Sequence, residues 1–339
     1  MLAGDGVAWS ENDGAASVLR LWRPDQGTKV VFRSKTTNAG RGLVGSGPLL
    51  AFERSYPGCP AQPGVACPTL TDFALGPRTG PFRPIAAARK CAFPFSEPGL
   101  DLAWTRTTSF VAYDALDCER ERVTTFVQTT STPPKRAVFR TVALREACCA
   151  GLRLAGRFIA WSTDWNGRLT VVDRDRNHPV VSVRVGDGVS AKPLSFDVQS
   201  DGTLAVIAGG RLFWVSPESP QPHVIATQVS GAVRIARARV AYVRTGAVML
   251  SDLRGHGRVV ARFRRPARLH GALDFDGARL AFSSDVVTRR WVDCPPPGQE
   301  RPCVQRESGT TTIWSARAPG NALKKIARFA FEGISGSSR

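Results

Sequence analysis

Residues 195–227 read SFDVQSDGTLAVIAGGRLFWVSPESPQPHVIAT, and their spacing resolves into four short strands joined by three turns. SFDVQ (195–199) alternates apolar and polar residues, Ser200-Asp201-Gly202 supplies a turn, and TLAVIA (203–208) is an apolar run too short for a helix. Gly209-Gly210 predicts a tight hairpin, because a two-residue primed turn needs positive φ at its central positions. RLFWVS (211–216) then forms the third strand. After the proline-rich turn to Pro222, HVIAT (223–227) forms an outer edge.

The second strand of this unit recurs along the whole chain. It appears as GVAWSE around Trp9, LLAFER around Phe52, FVAYDA around Tyr113, FIAWST around Trp161, TLAVIA around Val206, RVAYVR around Tyr242 and RLAFSS around Phe282. The intervals are 43, 61, 48, 45, 36 and 40 residues, and a period near 40 is the size of a four-stranded blade. The small alanine before each bulky residue predicts a sheet-to-sheet contact in which a large side chain of one blade meets a small one of the next. Numerous short strands need their edges protected, which radial repetition achieves.

The expected fold is therefore all-β: a seven-bladed β-propeller of four-stranded antiparallel blades with disulfide-stapled loop insertions. The chain, 1–339, is read as one such ring, with approximate units at 1–36, 43–88, 100–143, 150–186, 193–228, 231–264 and 270–330. The first unit lacks most of its innermost strand, and FEGIS (331–335) is expected to complete it and close the ring. Residues 83–91 are the one stretch with modest helical patterning.

DVQSDGTLAVIAGGRLFWVS (197–216) and DFDGARLAFSS (274–284) resemble the repeat of TolB-like, WD40-like propellers. That resemblance implies a binding scaffold outside the cytoplasm, or less commonly a propeller attached to an enzyme. In this reading Asp197, Asp201 and Asp276 belong to ordinary structural turns.

Eight cysteines stand at 59, 67, 91, 118, 148, 149, 294 and 303. Cys59 with Cys67, and Cys294 with Cys303, bracket short Pro/Gly-rich loops and are expected to pair. Cys91, Cys118, Cys148 and Cys149 leave three pairings open, and bonds crossing to the vicinal pair are preferred because adjacent strand residues face opposite ways. No Cys-x-x-Cys spacing and no clustered histidine points to a metal, and no cofactor is implied. A disulfide framework implies an oxidising compartment. The opening MLAGDGVAWSEN has no charged and apolar signal regions, so the expectation is a secreted, periplasmic or surface-anchored protein whose signal or anchor is absent from this sequence. No apolar run reaches membrane-spanning length.

Lys and Arg total 46 against 28 acidic residues, a net charge of +18. Such a field attracts anions, although GC-rich coding bias toward arginine would produce the same composition. Arg262, Arg264 and Arg265, flanking Phe263, form a candidate anion patch. Loops joining second to third strands should gather on one rim. They hold Asp164, Trp165 and Asn166 in the fourth unit and Arg289, Arg290 and Trp291 in the seventh, where an exposed indole can stack on a sugar or anchor a protein.

The leading functional expectation is a non-catalytic recognition domain for an envelope or extracellular protein or an acidic glycan, monomeric, with nucleic acid disfavoured. The alternative is a carbohydrate-active hydrolase or lyase with an axial pocket, for which Asp164 with Asp187 or Asp285 would supply the carboxylate pair. No serine-hydrolase elbow, phosphate loop or dinucleotide fingerprint is present.

Overall fold

The computed structural model describes residues 1–13, 16–35, 38–57, 69–85, 99–104, 108–117, 120–131, 133–143, 151–162, 168–185, 195–264, 267–294, 303–318 and 322–337. They form seven four-stranded antiparallel sheets arranged as a β-propeller. The first blade comprises β1 (Leu2–Ala3), β2 (Gly6–Asp13), β3 (Ala16–Arg23) and β4 (Gly27–Ser34). The second comprises β5 (Asn38–Ser46), β6 (Leu49–Pro57), β7 (Thr69–Pro77) and β8 (Arg83–Pro84), so the start of the stretch read as helical is an edge strand. The third comprises β9 (Leu100–Trp104), β10 (Ser109–Asp117), β11 (Arg122–Thr129) and β12 (Arg136–Ala143). The fourth has β13 (Leu152–Ala155), β14 (Phe158–Ser162), β15 (Arg168–Asp173) and β16 (His178–Arg184). The fifth has β17 (Ser195–Val198), β18 (Leu204–Ala208), β19 (Arg211–Val215) and β20 (His223–Thr227). The sixth has β21 (Val229–Ala236), β22 (Arg239–Arg244), β23 (Ala247–Asp252) and β24 (Gly257–Arg262). The seventh has β25 (Ala267–Phe275), β26 (Arg279–Asp293), β27 (Val304–Arg317) and β28 (Leu323–Ser337).

The recurrent sequence strand is the second strand of every blade, and its two faces build the core. Successive strand residues point to opposite sides, so each alanine turns toward one neighbouring blade and each bulky residue toward the other. Seven buried clusters result, one per seam. Ala8 shares a cluster with Phe52, Ala51 with Tyr113, Ala112 with Trp161 and Ala160 with Val206. Ala205 shares one with Tyr242, Ala241 with Phe282 and Ala281 with Trp9. The last pair joins the seventh blade to the first, so the ring closes by the contact that holds every other seam.

Closure therefore does not use FEGIS as expected. Phe331 pairs with Gly309, Glu332 with Ser308 and Gly333 with Glu307, all on β27. Residues 331–335 extend the outer strand of the seventh blade, and the first blade takes its inner strand from Leu2 and Ala3, paired with Val7 and Gly6. The hairpin at Gly209-Gly210 forms as read, with φ of 54° and 72°. Among the described residues no helix is long and apolar enough to cross a membrane.

Candidate functional site

The innermost strands share a pattern that the aromatic repeat conceals. LDL (100–102), LRL (152–154), FDV (196–198), VRI (233–235) and LDF (273–275) each set one charged residue between two apolar ones. The charged residue lies across the ladder from the recurrent alanine: Asp101 from Ala112, Arg153 from Ala160, Asp197 from Ala205, Arg234 from Ala241 and Asp274 from Ala281. Their flanking residues enter the seams, and the charges form a belt Asp-Arg-Asp-Arg-Asp over five consecutive blades. Asp197 is thus a strand residue of the belt and not a turn residue. Asp201 and Asp276 do sit in turns, accepting from the Thr203 amide at 2.8 Å and the Ala278 amide at 2.9 Å.

Each aspartate fastens its blade to the next. Asp101 accepts from the Leu154 amide at 2.6 Å and from its neighbour Leu102 at 2.9 Å. Asp197 accepts from the Ile235 amide at 2.9 Å. Asp274 accepts from the Leu2 amide at 2.6 Å and from Phe275 at 2.9 Å. The arginines complete the alternate seams: Arg153 Nε lies 3.8 Å from Asp197 and Arg234 Nε lies 3.7 Å from Asp274. Burial pushes the Asp101 carboxyl up to about 6, against the pull of Arg153, and burial raises Asp197 as well.

Two chambers border the belt, and Arg234 and Asp274 line both. One chamber, about 640 Å³, opens among the turns between first and second strands and is lined by Trp104, Gln199, Ser200, Arg237, Asp276 and Arg279 as well as the belt. The other, about 660 Å³, lies toward the first and seventh blades and is more apolar, with Trp9, Leu273, Phe282, Ile313 and Phe329.

At the opposite end of the strands the seventh blade runs on past its neighbours. β26 and β27 have 15 and 14 residues, where the other second and third strands have 5 to 9. Their outer ends are stapled by Cys294–Cys303, the expected bond. The three residues read together here are separated by the pleat. Arg289 stands over the Trp291 ring at 5.1 Å, while Arg290 approaches Glu307 at 3.6 Å on the other face. Glu307, nearly buried, also pairs with Arg268. Val292 beyond them is 55% exposed.

Arg262 ends β24 and Arg264 follows it, both exposed. Phe263 between them is a packing residue, 6.0 Å from Phe282 and 5.7 Å from Trp314. Asp285 is buried and accepts from the Thr311 hydroxyl at 2.8 Å, so it does not serve a rim carboxylate pair. Asp164, Trp165, Asn166, Asp187, Arg265 and the cysteines at 59, 67, 91, 118, 148 and 149 lie outside the described residues. Among the described residues no cluster of three or more His, Cys, Asp or Glu could hold a metal.

No family model matches the chain, and no curated protein matches it. Solved structures match in fold. An acylaminoacyl peptidase in complex with Z-Gly-Gly-Phe-chloromethyl ketone aligns with a TM-score of 0.50 at 8% identity, over 86% of this chain and 52% of that one. Kluyveromyces lactis Hsv2 aligns at 0.46 and 10% identity, over 96% and 99% of the two chains. A chain of the mitotic checkpoint complex aligns at 0.45 and 13% identity, over 85% and 76%. At these identities the likeness is one of fold.

Proposed function

We propose that this protein is a non-catalytic recognition or scaffold domain of an extracytoplasmic compartment, binding a protein or an envelope glycan through one face of its ring. The binding face is the one carrying the second-to-third-strand connections, with Arg289, Arg290 and Trp291 on the projecting hairpin; Asp164, Trp165 and Asn166, which follow β14 in sequence, are assigned to it from the sequence alone. Arg262 and Arg264 add positive charge at the end of β24, and Arg265 is assigned to the same patch from the sequence alone.

The projecting hairpin carries this reading. Packing within the ring does not require β26 and β27 to continue beyond the neighbouring blades, yet they do so as a stapled, ion-paired rib with Arg289 and Val292 exposed and Trp291 half-buried under the Arg289 guanidinium. Aromatic and arginine side chains are the usual anchors of protein interfaces. The Cys294–Cys303 bond supports an oxidising location, as does the resemblance of 197–216 and 274–284 to TolB-like repeats.

The hydrolase alternative needs axial carboxylates free to exchange protons. Asp101, Asp197 and Asp274 do face the axis, but five of their six oxygens accept backbone amides, which fits a role in joining blades. The test offers solubilised envelope material to immobilised protein and to an Arg289→Ala, Trp291→Ala variant. A discrete species retained by the first and lost by the second supports the reading. Identical retention contradicts it.

A further inference from the structure

The axial chamber among the first-to-second-strand turns lies at the end of the ring opposite the hairpin, and it has a surplus of hydrogen-bond donors. The belt carboxylates are nearly filled by backbone amides. The arginines between them are only partly served: among the described residues Arg153 donates to the Leu152 carbonyl at 2.8 Å and Arg234 to the Val233 carbonyl at 2.9 Å, each a single hydrogen bond, while their contacts to Asp197 and Asp274, at 3.8 and 3.7 Å, are longer than a hydrogen bond. A guanidinium carries five N–H donors. Arg153 Nε is shielded from solvent with no hydrogen-bond partner, and an unfilled buried donor is costly unless something fills it.

Two further side chains border this chamber. Trp104 is 43% exposed and lies against Gly47, where a Cβ would come within 2.4 Å of the indole. Arg237 makes no hydrogen bond or ion pair among the described residues, and its stem lies against Gly277, where a Cβ would come within 2.7 Å of Cδ. The two glycines therefore let an indole and a guanidinium lie close to the backbone beside the chamber. Ser200 and Gln199 add polar groups between them.

Acceptor oxygens with a negative charge satisfy the arginines, a ring with an apolar face satisfies the indole, and a volume of about 640 Å³ lies in the range of small-molecule sites. We propose that this chamber binds an acidic sugar unit, its carboxylate between Arg153 and Arg234, its ring toward Trp104 and its outer hydroxyls toward Arg237 and Ser200. A bidentate guanidinium–carboxylate contact gives both geometry and strength to such an anchor. The proposal is independent of the partner assigned to the opposite face, and either can fail without the other.

The test titrates glucuronate, glucose and benzoate separately into the full chain by calorimetry. Saturable glucuronate binding, at least tenfold tighter than glucose and than benzoate, is expected. Arg237→Ala and Trp104→Ala, both at exposed positions, should each weaken it at least fivefold with an unchanged melting temperature, and Arg153→Met should abolish it. The absence of saturable glucuronate binding overturns the proposal. Equal affinity for glucose overturns the carboxylate anchor, and tighter benzoate binding overturns the sugar.

Discussion

Ala281 of the seventh blade and Trp9 of the first, 2% and 6% exposed, lie in one buried cluster with Val7 and Ile313. The two are 272 positions apart in sequence, yet they repeat the small-against-large contact made at the six other seams. Among the described residues no strand is exchanged between the first and seventh blades. The closing seam is instead reinforced by the Leu2 amide on Asp274 and by Arg279 on the Gly4 carbonyl.

Enlarging the alanine should cost the same wherever the rule operates. Ala281→Leu and Ala205→Leu are each expected to destabilise the fold by about 1–3 kcal/mol, the usual penalty of overpacking a filled core. Combining Ala281→Leu with Trp9→Val should recover part of that loss, measured by denaturant unfolding. If Ala281→Leu is neutral while Ala205→Leu is not, the closing seam is packed differently from the rest.

Removing the belt contact at the closing seam should loosen it locally. Asp274→Ala leaves the Leu2 amide without its acceptor and is expected to cost about 1–3 kcal/mol. Hydrogen exchange should rise first in residues 2–9 and 280–286, before the fourth and fifth blades respond. Uniform loss of protection around the ring would contradict a seam-specific role.

The Asp101 carboxyl sets a pH dependence with a definite sign. Its folded value is raised to about 6, while an unfolded aspartate titrates near 4, at about 3.9. The folded chain thus binds the proton more tightly, so this group's contribution to stability falls as pH rises from about 4 to about 6 and is level above that window. The difference between the folded and unfolded values bounds the effect at about 3 kcal/mol, reduced where the axial chamber admits water. Asp101→Asn should flatten this segment of the stability profile. A slope unaltered by the substitution would show that Asp101 titrates normally.

The stapled hairpin should melt apart from the ring. Cys294→Ser with Cys303→Ser removes a constraint worth about 2–3 kcal/mol in the chain-entropy account, but it acts on a rib beyond the seven clusters. Exchange is expected to increase in 288–294 and 303–309 with little change in the global midpoint. Truncation after Phe329 should behave likewise, because Ala330–Ser337 pair only with the outer half of β27.

The blades are legible because the same two residue sizes recur on one strand seven times: alanine and an aromatic or branched neighbour are what a radial seam needs. Cys294–Cys303 was legible from its nine-residue separation across a loop poor in regular structure. The belt was hidden for a physical reason. Asp101, Arg153, Asp197, Arg234 and Asp274 occupy one structural register but alternate in sign, so a search for like residues passes over them, and the aspartates find their cross-blade partners in backbone amides. The informative signal is the apolar-charged-apolar triplet one strand before the recurrent alanine strand in blades three to seven. The hairpin extension is hard to see in the sequence because QRESGTT (305–311) and TRRWVD (288–293) lack the apolar alternation of a half-buried strand. Ion pairs such as Arg306–Asp293, at 2.7 Å, accompany the cross-strand ladder there.

The recognition reading is tested most directly by placing a photo-crosslinking phenylalanine analogue at position 291 in the cells that produce the protein, with Val224 on the outer edge of the fifth blade as the comparison site. A discrete adduct from position 291, lost when Arg289 is changed to Glu and absent from position 224, is the predicted result. Adducts from position 224 with none from position 291 would contradict the assignment of the hairpin face as the binding surface.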